Sequence, residues 1–190
     1  LFPTRRSSDL VVANPVDDTK YIQSSATISV AIPSDPLSTD KVDILNRALT
    51  GVTGSYTEWS DKTATSKASY AGQSAGGNES IQLRATKPSG IVTTVSGGKA
   101  TKVVVTWNSN TEAGRTLDVY GKNTAYSTPA DLYSTSTRGT KIGSIVYGTS
   151  TELVIEGDYE FIGMRSASGA MYLEDIQITW DTSNVEVDIR

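Results

Sequence analysis

Two kinds of side chain in this sequence are placed where they could do chemistry: aromatic rings in polar stretches and arginines beside apolar ones. Tyr56 and Trp59 lie in a polar segment, Tyr70 precedes the run Ala71 to Asn78, and Tyr126 and Tyr133 fall within the long polar stretch Asn123 to Gly139. Flat rings of this kind stack on the faces of sugar rings, and planar hydrogen-bonding groups beside them fix the sugar's orientation. Trp59 and Tyr70 have a second reading, packing over the edge of a sheet, as most aromatic rings do. Arg84 and Arg165 each sit in an apolar context and need a partner, either a carboxylate of the fold or a ligand. A structural carboxylate is the ordinary answer for an arginine beside a strand.

Other chemistries are short of parts. The chain has no histidine and no cysteine, which removes the commonest general base, the commonest zinc ligand, thiolate metal sites and disulfides. Ser60 and Asp61 therefore have no histidine to complete a triad, and Asn78-Glu79-Ser80 is a glycosylation sequon in form only. The run Ala71 to Asn78 is rich in glycine but lacks the Gly-Lys-Ser/Thr of a phosphate cradle, so it reads as a loop. Glycoside hydrolysis needs two carboxylates facing one another across a sugar. Glu58 with Asp61, and Glu174 with Asp175, are close in the chain, but neighbouring strand positions point to opposite faces. No catalytic group is assigned, and the chain is not read as an enzyme. A net charge of −4 without clustered Lys or Arg argues against nucleic acid as a partner. Its longest apolar runs are of strand length, so this segment is not expected to enter a membrane.

The elements that must position these residues read as strands. From about Asp40 to Asp181 short alternating segments are separated by clusters of Gly, Ser, Thr, Asn and Asp, the pattern of an all-β antiparallel sandwich. Val103, Val105 and Trp107 share a face, as do Leu117 with Val119 and Leu153 with Ile155. In the last strand Ile176, Ile178 and Trp180 share a face that Tyr172 and Leu173 do not keep, which predicts a bulge near Glu174 and Asp175. Trp107 and Trp180 are expected in the core. Thr39 to Leu49 fits a helix ended by Gly51, and Val42 to Ala48 equally fits a strand. Residues 1–10 are similar to a translated sequencing-adapter oligonucleotide and are expected to be a non-native artefact. Residues 11–37 are expected to hold one strand and a linker, 38–182 the sandwich, and 183–190 a C-terminal tail. The Tyr-x-x-x-Ser-Ala-Thr stretch from Tyr21 resembles the last strand of bacterial immunoglobulin-like repeats, which implies a remnant of an upstream domain.

Several segments in order carry a second resemblance: Ser80 to Arg84, Ser89 to Thr94, Val103 to Asn108, Arg115 to Lys122 and Gly169 to Ile176. Over about 140 residues they resemble a jelly-roll module of secreted and surface proteins of gut bacteria, similar to galactose-binding-like and carbohydrate-binding-module-like sandwiches. The resemblance implies a non-catalytic accessory role in a secreted or cell-surface protein, with glycan and other domains of the same polypeptide as partners. A spacer without ligand is the alternative reading, and a fragment of a glycan-active enzyme a more distant one. It also implies that no cofactor beyond a structural calcium is to be considered, with Asp40, Asp43, Glu174 and Asp175 as the carboxylates available to it. No Asp-x-Asp-x-Asp run accompanies them, which favours surface carboxylates without a metal.

Overall fold

The computed structural model describes residues 40–183; the expectations for 1–10, for the strand and linker of 11–37 and for the tail from 184 lie outside the described residues. In chain order the strands are β1 (Lys41–Asn46), β2 (Thr57–Thr63), β3 (Ser69–Ser74), β4 (Ile81–Leu83), β5 (Gly90–Val95) and β6 (Lys99–Trp107). They continue with β7 (Thr116–Lys122), β8 (Thr140–Val146), β9 (Glu152–Val154), β10 (Phe161–Ser166) and β11 (Met171–Asp181). One sheet runs β1-β11-β6-β9, with β4 also paired to β11, and the other runs β2-β3-β5-β10-β7-β8. Every pairing is antiparallel, so the expected all-β sandwich is the fold.

Alternation decides what each strand buries. In β6 Val103 and Val105 face the core, in β7 Leu117 and Val119, and in β10 Ile162 and Met164. In β11 the inward set begins as Met171 and Leu173 and resumes as Ile176, Ile178 and Trp180. The register against β6 slips between Leu173 and Asp175, which is the expected bulge, and it moves the inward parity by one residue. Trp180 is fully buried. Trp107 is not: it is half-buried at the end of β6, packed on the core on one side and on the Tyr147 ring 5.5 Å away on the other. The last position of a strand has one neighbour fewer along its face than a central one, so its side chain keeps part of its surface open to solvent.

Both readings of the first segment are found in part. Lys41–Asn46 pairs with β11, and Arg47–Thr50 then closes one helical turn, α1. Asn46 caps it by accepting the Leu49 N–H at 3.0 Å, and Gly51 at φ 71° ends it. The glycine-rich run is corrected: Ala71 to Ser74 belongs to the buried strand β3 rather than to a loop. Gly72 is there because the Trp59 ring lies against it, a Cβ at that position falling 2.2 Å from a ring carbon.

A second, smaller apolar cluster lies on the outer face of the six-stranded sheet. Ala71, Val92 and Tyr120 project there from β3, β5 and β7, and Tyr126 and Leu132 cover them from the segment between β7 and β8. That segment is held by a 3₁₀ turn at Pro129–Tyr133, in which Thr128 and Asp131 form a capping box.

Candidate functional site

The unused arginines and tyrosines meet at one edge of this outer face. Inward-facing Val119 and Met164 place their chain neighbours Tyr120 and Arg165 outward on β7 and β10, whose registers are adjacent. Arg165 Nη2 donates to the Tyr120 hydroxyl at 3.4 Å, and its guanidinium sits 4.8 Å from the centre of the Tyr133 ring. Arg84, just past β4, stacks 4.0 Å from the centre of the Tyr56 ring. Tyr133 links the two arginines. Burial pushes its hydroxyl pKa up, while the charges of Arg165 and Arg84 oppose that shift. Tyr56 behaves alike, raised by burial and opposed by Arg84.

Ser89 fixes the cluster's frame. Fully buried, its hydroxyl accepts the Arg84 N–H at 3.1 Å and donates to the Gln73 carbonyl at 3.2 Å, and its carbonyl accepts the Tyr133 hydroxyl at 2.7 Å. Gly90 follows, and an added Cβ there would lie 2.8 Å from Leu132 and 3.6 Å from the Arg165 Cβ. One dipeptide therefore ties Gln73, Arg84, Tyr133 and Arg165 to the same corner of the sheet.

The polar accounting of this corner is incomplete. Gln73 Oε1, Arg84 Nε and Arg165 Nε are buried without a hydrogen-bond partner. Buried polar groups are ordinarily paired, and each orphan costs about 1–3 kcal/mol. Arg115 Nε is also orphaned, but that guanidinium is otherwise used, by Glu112 and by the Ser168 carbonyl. Neither Arg84 nor Arg165 pairs with a carboxylate among the described residues, which corrects the expectation that a structural carboxylate would hold each. Asp118, opposite Arg165 in register, is already engaged by Lys141 at 2.8 Å, by Ser144 at 2.8 Å and by Tyr120 at 3.3 Å.

Of the predicted ring set, the structure brings Tyr56 and Tyr133 together, both half-buried, with Arg84 and Arg165. Trp59 and Tyr70 belong to the core instead: Trp59 is 8% exposed with Nε1 on the Ser74 hydroxyl, and Tyr70 is 0% exposed. Both rings sit at inward parity, so no sugar reaches them. Tyr126 is 2% exposed and structural, its hydroxyl on the Arg138 carbonyl and its ring beneath Lys122 Nζ at 3.9 Å. The residues missed by sequence reasoning are Gln73, Ser89 and Tyr120. For Tyr120 a signal existed, an aromatic at the outward position next to inward Val119; Gln73 and Ser89 carried none.

The four carboxylates considered for calcium do not form one set. Asp43 shares inward parity with Leu45 and lies fully buried. It accepts from the Thr65 and Ser66 N–H groups at 2.8 and 2.6 Å, the Ser66 and Tyr70 hydroxyls at 2.5 and 2.6 Å, and Trp180 Nε1 at 3.1 Å. Asp175 pairs in register with Asn46, whereas Asp40 lies beyond the Lys41 and Trp180 pair. At strand rise that separates them by roughly 17–20 Å. Glu174 is exposed, receives the Asn108 amide at 3.3 Å and, with Asp175, Glu79 and Arg47, lines an open groove of about 630 Å³. No group of three or more metal-binding side chains occurs among the described residues.

A second open groove, of about 690 Å³, runs beside Trp107 and Tyr147. Its rings are tilted by 56°, and Trp107 Nε1 is satisfied by the Ser150 carbonyl at 3.1 Å. It offers no flat platform and no orphaned polar atom among these groups. Comparison of the chain with protein-family models, with curated proteins and with solved structures finds no match.

Proposed function

We propose that this β-sandwich is a non-catalytic binding module of a secreted or cell-surface protein, and that it recognises saccharide through the Tyr56, Arg84, Tyr133 and Arg165 corner. The observation that carries the reading is the convergence of two guanidiniums without a carboxylate partner among the described residues, two half-buried rings and a carboxamide with an orphaned oxygen at one corner of the sheet. Rings supply stacking area for a pyranose, and the planar donors and the amide supply directional hydrogen bonds. Arg165 stands on β10, Tyr56 and Arg84 directly flank β2 and β4, and Ser89 ties Arg84 and Tyr133, so little ordering is needed on binding. With few rings the affinity expected is micromolar to millimolar, roughly −8 to −4 kcal/mol, to be raised by avidity when modules are repeated.

The spacer reading draws on the burial of Trp59, Tyr70 and Tyr126. Affinity electrophoresis of the full chain against plant and mucin polysaccharides separates the two. Retardation that is lost in Tyr56→Ala and kept in Tyr126→Phe supports binding at this corner, and no retardation by any polysaccharide favours the spacer.

A further inference from the structure

We infer that the saccharide taken by this corner is acidic, a sugar bearing a carboxylate, an inference that rests on the binding role proposed above. Arg84 makes no side-chain hydrogen bond among the described residues, and Arg165 spends one donor on Tyr120 at 3.4 Å. Each guanidinium keeps a free fork of parallel N–H groups, the geometry that a planar carboxylate fills with two hydrogen bonds. The rings beneath them hold the forks in place without neutralising them, since a tyrosine face stabilises a cation yet carries no net charge.

The local charge balance points the same way on a chain of net charge −4. Arg138 adds a third cation over the Tyr120 ring at 5.5 Å, and Asp118 is offset by Lys141. The other carboxylates here are Glu58, exposed and opposite Gln73 in register, and Asp131, whose oxygen accepts the Ser127 N–H at 2.8 Å; against them stand Arg84, Arg165, Arg138, Lys122 and Lys141. Gln73 adds an amide whose buried end has no partner among the described residues. A ligand that complements the corner therefore carries a planar anion on a ring that can stack, as a uronic acid does and inorganic phosphate does not.

The test uses the full chain in isothermal titration against polygalacturonate oligosaccharides, the same oligosaccharides methyl-esterified, and neutral galactan fragments. Chondroitin and chondroitin sulfate form a further pair that separates carboxylate from sulfate. Expected are binding to the free acid, a loss of roughly ten- to hundredfold on esterification, as for a charge-assisted pair, and weakening with added salt. Arg84→Gln and Arg165→Gln should each show a similar loss for the acid at an unchanged urea midpoint. Equal affinity for the acid and its ester overturns the inference while leaving saccharide binding standing. Binding that requires sulfate also overturns it. If no saccharide binds, both the inference and the reading beneath it fall. The salt and ester comparisons are made on the unaltered chain, so they hold even if an arginine variant fails to fold.

Discussion

Asp43→Ala should be among the most damaging single substitutions in this domain. The carboxylate is fully buried and accepts five hydrogen bonds, two of them from Tyr70 and Trp180, which are themselves 0% exposed. The Thr65 and Ser66 donors stand near the surface and recover water when the carboxylate is gone. Trp180 Nε1 keeps the Tyr70 oxygen at 3.0 Å, so the group left without an acceptor is the Tyr70 hydroxyl proton. One orphaned buried donor costs about 1–3 kcal/mol. Loss of the charge-assisted bonds and the void left by the carboxylate bring the total to about 3–5 kcal/mol. In a urea titration with a slope of about 2 kcal/mol/M, that lowers the midpoint by roughly 2 M. Tyr70→Phe, which leaves four donors on Asp43, should cost only about 1 kcal/mol. If Asp43→Ala is as mild as Tyr70→Phe, the carboxylate does not organise the core. A chelator that lowers the wild-type midpoint but leaves that of Asp43→Ala unchanged would instead make Asp43 a metal ligand.

That network marks where sequence reading stopped. Alternation made the sandwich legible, down to the bulge after Leu173, because a period of two is written directly in residue types. The same rule could have placed Asp43 inward beside Leu45, but an aspartate at an inward position makes sense only once Tyr70 and Trp180 are known to reach it from other strands. At the binding corner Arg84 and Arg165 were identifiable as arginines in need of a partner. Their partners were not, because Tyr56 and Tyr133 reach them only through pairing across the sheet and through the covering segment after β7. Ser89 had no signal at all, since a buried serine at a turn looks like any other turn residue until its three hydrogen bonds are seen.

Other expected outcomes are smaller in scope. Trp180→Ala should cost about 3–5 kcal/mol as a large-to-small core change, and Trp107→Ala, half-covered, about 2 kcal/mol; equal losses in urea titrations would contradict the burial difference. Gly72→Ala places a methyl group against the Trp59 ring and should cost about 1–3 kcal/mol by overpacking, with a changed tryptophan emission; an unperturbed spectrum and midpoint would count against that contact. Burial raises the pKa of the Tyr70 and Tyr126 hydroxyls above that of an unfolded tyrosine, so the folded state retains protons that the unfolded state gives up. Their contribution is complete below pH about 10 and is lost above it at about 1.4 kcal/mol per pH unit for each group. Tyrosinate absorbance should therefore rise together with unfolding; ionisation of all tyrosines in a still-folded chain would refute it.

If Arg84 and Arg165 stand ready for an anionic saccharide, their Nε–H resonances report its arrival. In a ¹⁵N-correlated spectrum recorded while a polygalacturonate oligosaccharide is titrated, the Arg84 and Arg165 Nε–H signals should both shift. The Arg115 signal should stay, its head group being held by Glu112 and Ser168. Shifts confined to Arg47 and Asn108 in the groove beside Glu174, or no arginine shift at saturating oligosaccharide, would contradict the account.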